Sequence, residues 1–153
     1  MTTICRDTTV TLWSASGLSR AADASAAILH RIRPARVKLH GSPSSLKSEA
    51  RAVAFRVRAW LGDDCEIAFG VAGDAGGKLS LPELHKRRFA VAETAHACGV
   101  GYVELNCESR WKLDQPGFRA EDAAAWVAEL TADGIVVGHS AYDQPTLHGS
   151  YPW

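Results

Sequence analysis

Tyr102, Glu104, Asn106 and Glu108 alternate with Val103, Leu105 and Cys107 in the segment GYVELNCESRWK, residues 101–112. At a spacing of two they share one face of a strand, with the apolar residues on the other. Two carboxyls and an amide on one face are groups suited to acid–base work. Glu108 stands where this strand should end, and in parallel α/β folds reactive groups collect at the carboxyl ends of strands. A carboxylic acid partly withdrawn from water there has a raised pKa and can act as a general acid. Asn106, on the same face, can hydrogen-bond Glu108 or a substrate. Trp111 offers an apolar platform of the kind on which sugars stack. The competing reading of Glu108 is a loop carboxylate paired with Arg110 or Lys112 at the surface.

A second cluster lies in HSAYDQPTLHGSYPW, residues 139–153. His139, Ser140, Tyr142, Asp143, His148, Tyr151 and Trp153 give it the polar and aromatic density of a ligand-facing loop. The two histidines have no metal-binding spacing, so no metal is expected. Ser140, Asp143 and His148 carry the residue types of a catalytic triad, but Ser140 lacks the G-x-S-x-G elbow. His40, at the end of a strand and on its polar face, and Asp74, after another strand, are further site candidates. His30, His85 and His96 lie on helical stretches and read as surface or structural residues. AGDAGGKLS (72–80) has the setting of a phosphate-binding loop. Ala72 and Leu79 occupy the positions of its first glycine and its hydroxyl, however, both functional positions, and a glycine loop before a capped helix is the better reading.

The elements that must position these residues alternate along the chain. Strands are expected over 8–16, 36–42, 65–73, 101–107 and 135–140, and helices over 18–32, 46–62, 80–99 and 120–134. The first helix turns Leu18, Ala21, Ala22, Ser25, Leu29 and Ile32 inward. The second turns Ala50, Val53, Ala54, Val57, Trp60 and Leu61 inward and ends at Gly62. Ser80–Glu83 forms a capping box for the third, with Leu79 and Leu84 as its staple. The fourth turns Ala123, Trp126, Val127 and Leu130 inward. This order implies parallel strands joined by crossovers in one domain spanning 1–153.

Two architectures fit: a partial (β/α)8 TIM-type barrel of about five βα units, and a flavodoxin-like doubly wound open parallel sheet. Strands covered by helices on both faces read as continuous apolar runs. Here four strands alternate instead. Val37 and Leu39 oppose Arg36, Lys38 and His40; Ile67 and Phe69 oppose Glu66, Ala68 and Gly70. A barrel explains this, with one face on helices and the other toward the axis, where Lys38 can meet Glu66 and Glu66 can meet Glu104 or Arg36. Five units leave the first and fifth strands as open edges. The chain is therefore expected to be the N-terminal portion of a TIM-type barrel, or to form a homodimer that covers those edges.

ELNCESRWK and SAYDQPTLHGSYPW resemble segments of glycoside-hydrolase-like TIM-barrel proteins, of lysozyme and chitinase type, including uncharacterised phage and bacterial relatives. In those families the fourth strand ends in D-x-E, whose Glu is the general acid. The resemblance implies that Glu108 is the acid, with Asn106 at the position of the Asp and supplying no second negative charge. Retaining glycosidases need two carboxyls about 5–5.5 Å apart, and inverting ones about 6.5–9.5 Å. Glu104 and Glu108 are about 13 Å apart along a strand, so Asp74 or Asp143 is the better partner. Substrate-assisted catalysis would need only the acid and a positioning group such as Asn106 or Tyr142.

Composition narrows the choice. The 153 residues carry 17 Lys+Arg against 17 Asp+Glu, so no global field attracts nucleic acid or anionic lipid. No apolar run has the length of a signal peptide or a membrane span, so a cytoplasmic location is expected. Cys5, Cys65, Cys98 and Cys107 have no C-x-x-C pairing and read as buried, reduced thiols. The expected ligand is a glycan or other small polar molecule, bound without a cofactor by His40, Glu104, Trp111, His139, Tyr142, Asp143, His148 and Trp153, with Glu108, Asn106 and Asp74 as the catalytic set. The alternatives are a non-catalytic incomplete-barrel binding or assembly module and a flavodoxin-like nucleotide-binding domain.

Overall fold

The computed structural model describes residues 8–13, 17–71, 90–107, 127–128, 130–132 and 134–141, with backbone alone for 105–107 and 138–141. Five strands form one parallel sheet: β1 (Thr9–Trp13), β2 (Arg36–Gly41), β3 (Glu66–Val71), β4 (Tyr102–Cys107) and β5 (Val136–Ala141). Their order across the sheet is their order in the chain, β1-β2-β3-β4-β5. Helix α1 (Leu18–Ile32) joins β1 to β2, and α2 (Pro43–Leu61) joins β2 to β3. Residues 90–97 are helical before β4, as are 127–128 and 130–132 before β5.

The local chemistry explains the boundaries. α1 spans the expected residues and ends at Arg33, whose φ of 48° stops the helix. α2 begins earlier than its apolar stripe predicts. Ser42 caps it, accepting a hydrogen bond from the Ser45 backbone N–H, and Pro43 occupies the first turn, where it sacrifices no helical bond. The stripe marks only the buried face, whereas the serine and proline mark the true start. Gly62 closes α2 at φ 87°, a conformation that costs a glycine little. β1 and β3 each begin one residue later than the alternation alone suggests, and residues 14–16 and 72–73 lie outside the described residues. The capping box at 80–83 lies outside the described residues.

One core holds the sheet to its helices. Leu12, Val37, Leu39, Ile67, Phe69, Val71 and Val103 from the strands meet Leu18, Ala22 and Leu29 of α1 and Leu46, Ala50, Val53, Val57 and Leu61 of α2. Val91, Ala95 and Leu130, from the helical residues before β4 and β5, join the same cluster. Trp60 packs against it while half-buried. Each fully buried Leu, Val, Ile or Phe here is worth about 1.5–3 kcal/mol. Val127 departs from expectation and is exposed. It lies about 60° around the helix from the buried Leu130, on the flank of the stripe.

Strand residues of the opposite parity avoid this core. Thr9, Thr11, Trp13, Glu66 and Val136 are exposed, and Arg36, Lys38, Tyr102 and Glu104 are partly so. Among the described residues, no helix lies on that face. No described helix is long and apolar enough to cross a membrane.

Candidate functional site

The polar face is organised by register. One row runs Trp13, His40, Gly70, Glu104 and Gly138 across all five strands; the row before it runs Thr11, Lys38, Ala68, Tyr102 and Val136. β3 contributes its own two smallest residues, Ala68 and Gly70, to these rows at the centre of the sheet. Long side chains from β2 therefore cross β3 and meet β4.

Lys38 is the clearest case. Its Nζ donates to Glu104 Oε1 at 2.8 Å, and both side chains are only 16% exposed. The sequence had offered Glu66 as its partner. The register corrects this, because Glu66 stands directly opposite Arg36. Arg36 donates to Glu66 Oε2 at 2.7 Å. The Arg36 guanidinium also lies 4.7 Å from the centre of the Tyr102 ring, a second bridge over β3. Of the described strand residues on this face, the Arg and Lys are thus matched by two carboxylates.

His40 is the only polar side chain in the buried set among the described residues, at 2% exposure. Its ring leans over Gly70, so closely that a Cβ at position 70 would come within 2.8 Å of Nδ1. Its outer face stacks on Trp13, with ring centres 4.1 Å apart and planes 10° apart. Gly70, the imidazole and the indole thus adjoin in series across β3, β2 and β1. Trp13 remains 51% exposed. Sequence reasoning singled out His40 and missed Trp13. The available signal was its parity, since Trp13 alternates with Leu12 and follows Thr9 and Thr11 along the polar side of β1.

The other candidates divide into two groups. Glu104 lies on the polar face as expected, but its carboxylate is engaged by Lys38. Asn106 registers with Ser140, whereas His139 registers with Leu105, which registers in turn with Val71. Glu108, Asp74, Trp111, Tyr142, Asp143, His148 and Trp153 lie outside the described residues, as does the glycine loop at 72–80. His30 and His96 are exposed on helical segments, as anticipated. Among the described residues no group of three or more His, Cys, Asp or Glu could hold a metal ion.

Cys65 and Cys98 are free and buried. Withdrawal from water pushes both thiols above their ordinary value, only partly offset for Cys65 by a backbone hydrogen bond and for both by the charge of Arg58. They are poor nucleophiles and fit the structural role expected of them.

No protein-family model matches the chain, and no curated protein sequence matches it.

Proposed function

We propose that this chain is a barrel-type (β/α) protein that binds a glycan on its polar sheet face, with Glu108 as the general acid for cleavage of a glycosidic bond. The observation that carries this reading is the sequential parallel order of the strands over a polar face with no described helix on it. A doubly wound sheet reverses its strand order at a switch point, as in the flavodoxin order 2-1-3-4-5. Here every neighbour in space is a neighbour in sequence. Right-handed crossovers then bring successive helices to one side, as in a barrel wall. The face they leave is polar and part aromatic, its described Arg and Lys matched by carboxylates, which suits an uncharged polyhydroxyl ligand better than a phosphate. Asn106 is the penultimate residue of β4, and Glu108 follows two residues later in the sequence.

In this reading Glu108 protonates the leaving oxygen, Asn106 and Tyr142 position the sugar, and Asp74 or Asp143 supplies the second carboxyl. His40 and Glu104 support the floor of the site. The test is release of reducing ends from chitin oligosaccharides and from peptidoglycan. Wild-type protein should release them, and Glu108→Gln should abolish release with an unchanged circular dichroism spectrum. Full activity in that variant refutes the assignment. A non-catalytic binding module is the second reading, favoured by Asn106, an amide at the position where the resembling families carry a carboxylate. It predicts binding of the same oligosaccharides with no release.

A further inference from the structure

We infer that Trp13 is a binding residue of this site: an aromatic platform at the carboxyl end of β1 that receives the C–H face of a pyranose ring. The inference deepens the glycan-binding reading and rests on it. It starts from an imbalance in the stack. The indole has one face 4.1 Å from the imidazole of His40, nearly parallel to it, yet the residue is 51% exposed. The exposure therefore belongs to the outer face and rim of the indole. An exposed tryptophan at a strand terminus carries the cost of a large apolar surface in water. Here the ring is also held rigid from one side, because His40 is buried and itself abuts Gly70. A rigid aromatic surface loses little conformational freedom on binding, which is what a stacking site requires.

The surroundings select the ligand. Trp13 shares its register row with His40, Gly70 and Glu104, and the row before it contains Lys38. Those groups are buried or engaged with one another, but Thr11, exposed on the same strand and at the same parity as Trp13, sets a hydroxyl beside the aromatic surface, the pairing that sugars need for their hydroxyls and ring hydrogens. The cations of this face are already neutralised, Lys38 by Glu104 and Arg36 by Glu66. That argues against a phosphate or a nucleotide, whose charge would find no free counterpart among these residues. It leaves a neutral ring with an apolar face.

The experiment is calorimetric titration with the β-1,4-linked N-acetylglucosamine tetramer, with adenosine as a second probe. Wild-type protein should bind the tetramer and not adenosine. Trp13→Ala should weaken binding about tenfold or more, as loss of a stacked ring face requires, while Trp13→Phe stays within about threefold of wild type. Equal binding by wild type and Trp13→Ala overturns the role of Trp13 and leaves the glycan reading intact. No tetramer binding by wild type overturns the glycan reading and this inference together. Binding of adenosine alone overturns both in favour of nucleobase stacking. Should Trp13→Ala not fold, fluorine NMR of 5-fluorotryptophan-labelled protein supplies the measurement. The residue-13 resonance, assigned by its loss in Trp13→Phe, should shift on addition of the tetramer, and a fixed resonance with bound tetramer overturns the inference.

Discussion

Lys38 on β2 passes over β3 and pairs with Glu104 on β4 at 2.8 Å, two strands away in the sheet and 66 residues away in the chain. The crossing is possible because β3 places Ala68 and Gly70 beneath it. Both charges are largely withdrawn from water, so the pair lies between a surface ion pair, worth little, and a buried one, whose disruption leaves an uncompensated charge.

Removing one partner should therefore cost more than removing both. Lys38→Met is expected to lower unfolding free energy by about 2 kcal/mol, and Lys38→Met with Glu104→Gln should recover at least about half of that. Urea denaturation of the two single variants and the double variant measures it. Arg36→Gln should cost less than about 1 kcal/mol, since the Arg36–Glu66 pair is more exposed. A Lys38→Met cost no larger than that of Arg36→Gln would show the crossing pair to be incidental.

Gly70→Ala tests the contact between Gly70 and His40. The added methyl would lie 2.8 Å from His40 Nδ1 and 3.3 Å from Lys38 Cδ, so the buried ring must move. We expect a loss of about 1–3 kcal/mol. In a His40→Ala background the same substitution should cost markedly less, because the obstructing ring is gone. Additive effects in that double-mutant cycle would contradict this arrangement.

Glu49 should stabilise α1 from a distance. The helix starts after Gly17, which offers no capping side chain, and Glu49 of α2 accepts from the Ser19 backbone N–H at 2.9 Å instead. A carboxylate there satisfies an orphan donor and faces the positive end of the helix. Glu49→Ala should lower stability by about 1 kcal/mol and Glu49→Gln by about half as much. Thermal unfolding at low and high salt separates the two contributions, the charge-dependent one shrinking as salt rises.

The buried thiols set an alkaline limit. Cys65 and Cys98 are acids whose folded pKa is raised above the ordinary value of 9.0, chiefly by desolvation. Folding thus favours the protonated form. The contribution is fully present below pH 9.0 and is lost as pH rises past it toward the folded values. Urea midpoints should fall between pH 8 and pH 10, and fall less in Cys65→Ala/Cys98→Ala. Alkylation by iodoacetamide at pH 8, followed peptide by peptide, should be slow at both cysteines until urea unfolds the chain.

Sequence alone determined the local features. The 3.6-residue stripe of α1 located its buried face, and the observed helix has the expected limits. The alternation around Val37, Lys38, Leu39 and His40 showed that β2 has two unlike faces. These are periodicities, carried by neighbouring residues and legible without knowing what they pack against. The start of α2 was also written locally, in Ser42–Pro43, but as a capping signal outside the apolar stripe.

Only the tertiary structure decided which residues meet. Lys38 and Arg36 are both cations on one face of β2, and Glu66 and Glu104 are both carboxylates within the sequence's reach. Register gave Glu66 to Arg36, and the two smallest residues of β3 gave Glu104 to Lys38. The same Gly70 leaves room for the His40 ring, on which Trp13 stacks, so the candidate platform arose from three strands at once. Periodicity specifies the face a side chain occupies. Its partner depends on strand order, on register and on the room left by small residues between them, which are distances set only when the strands assemble.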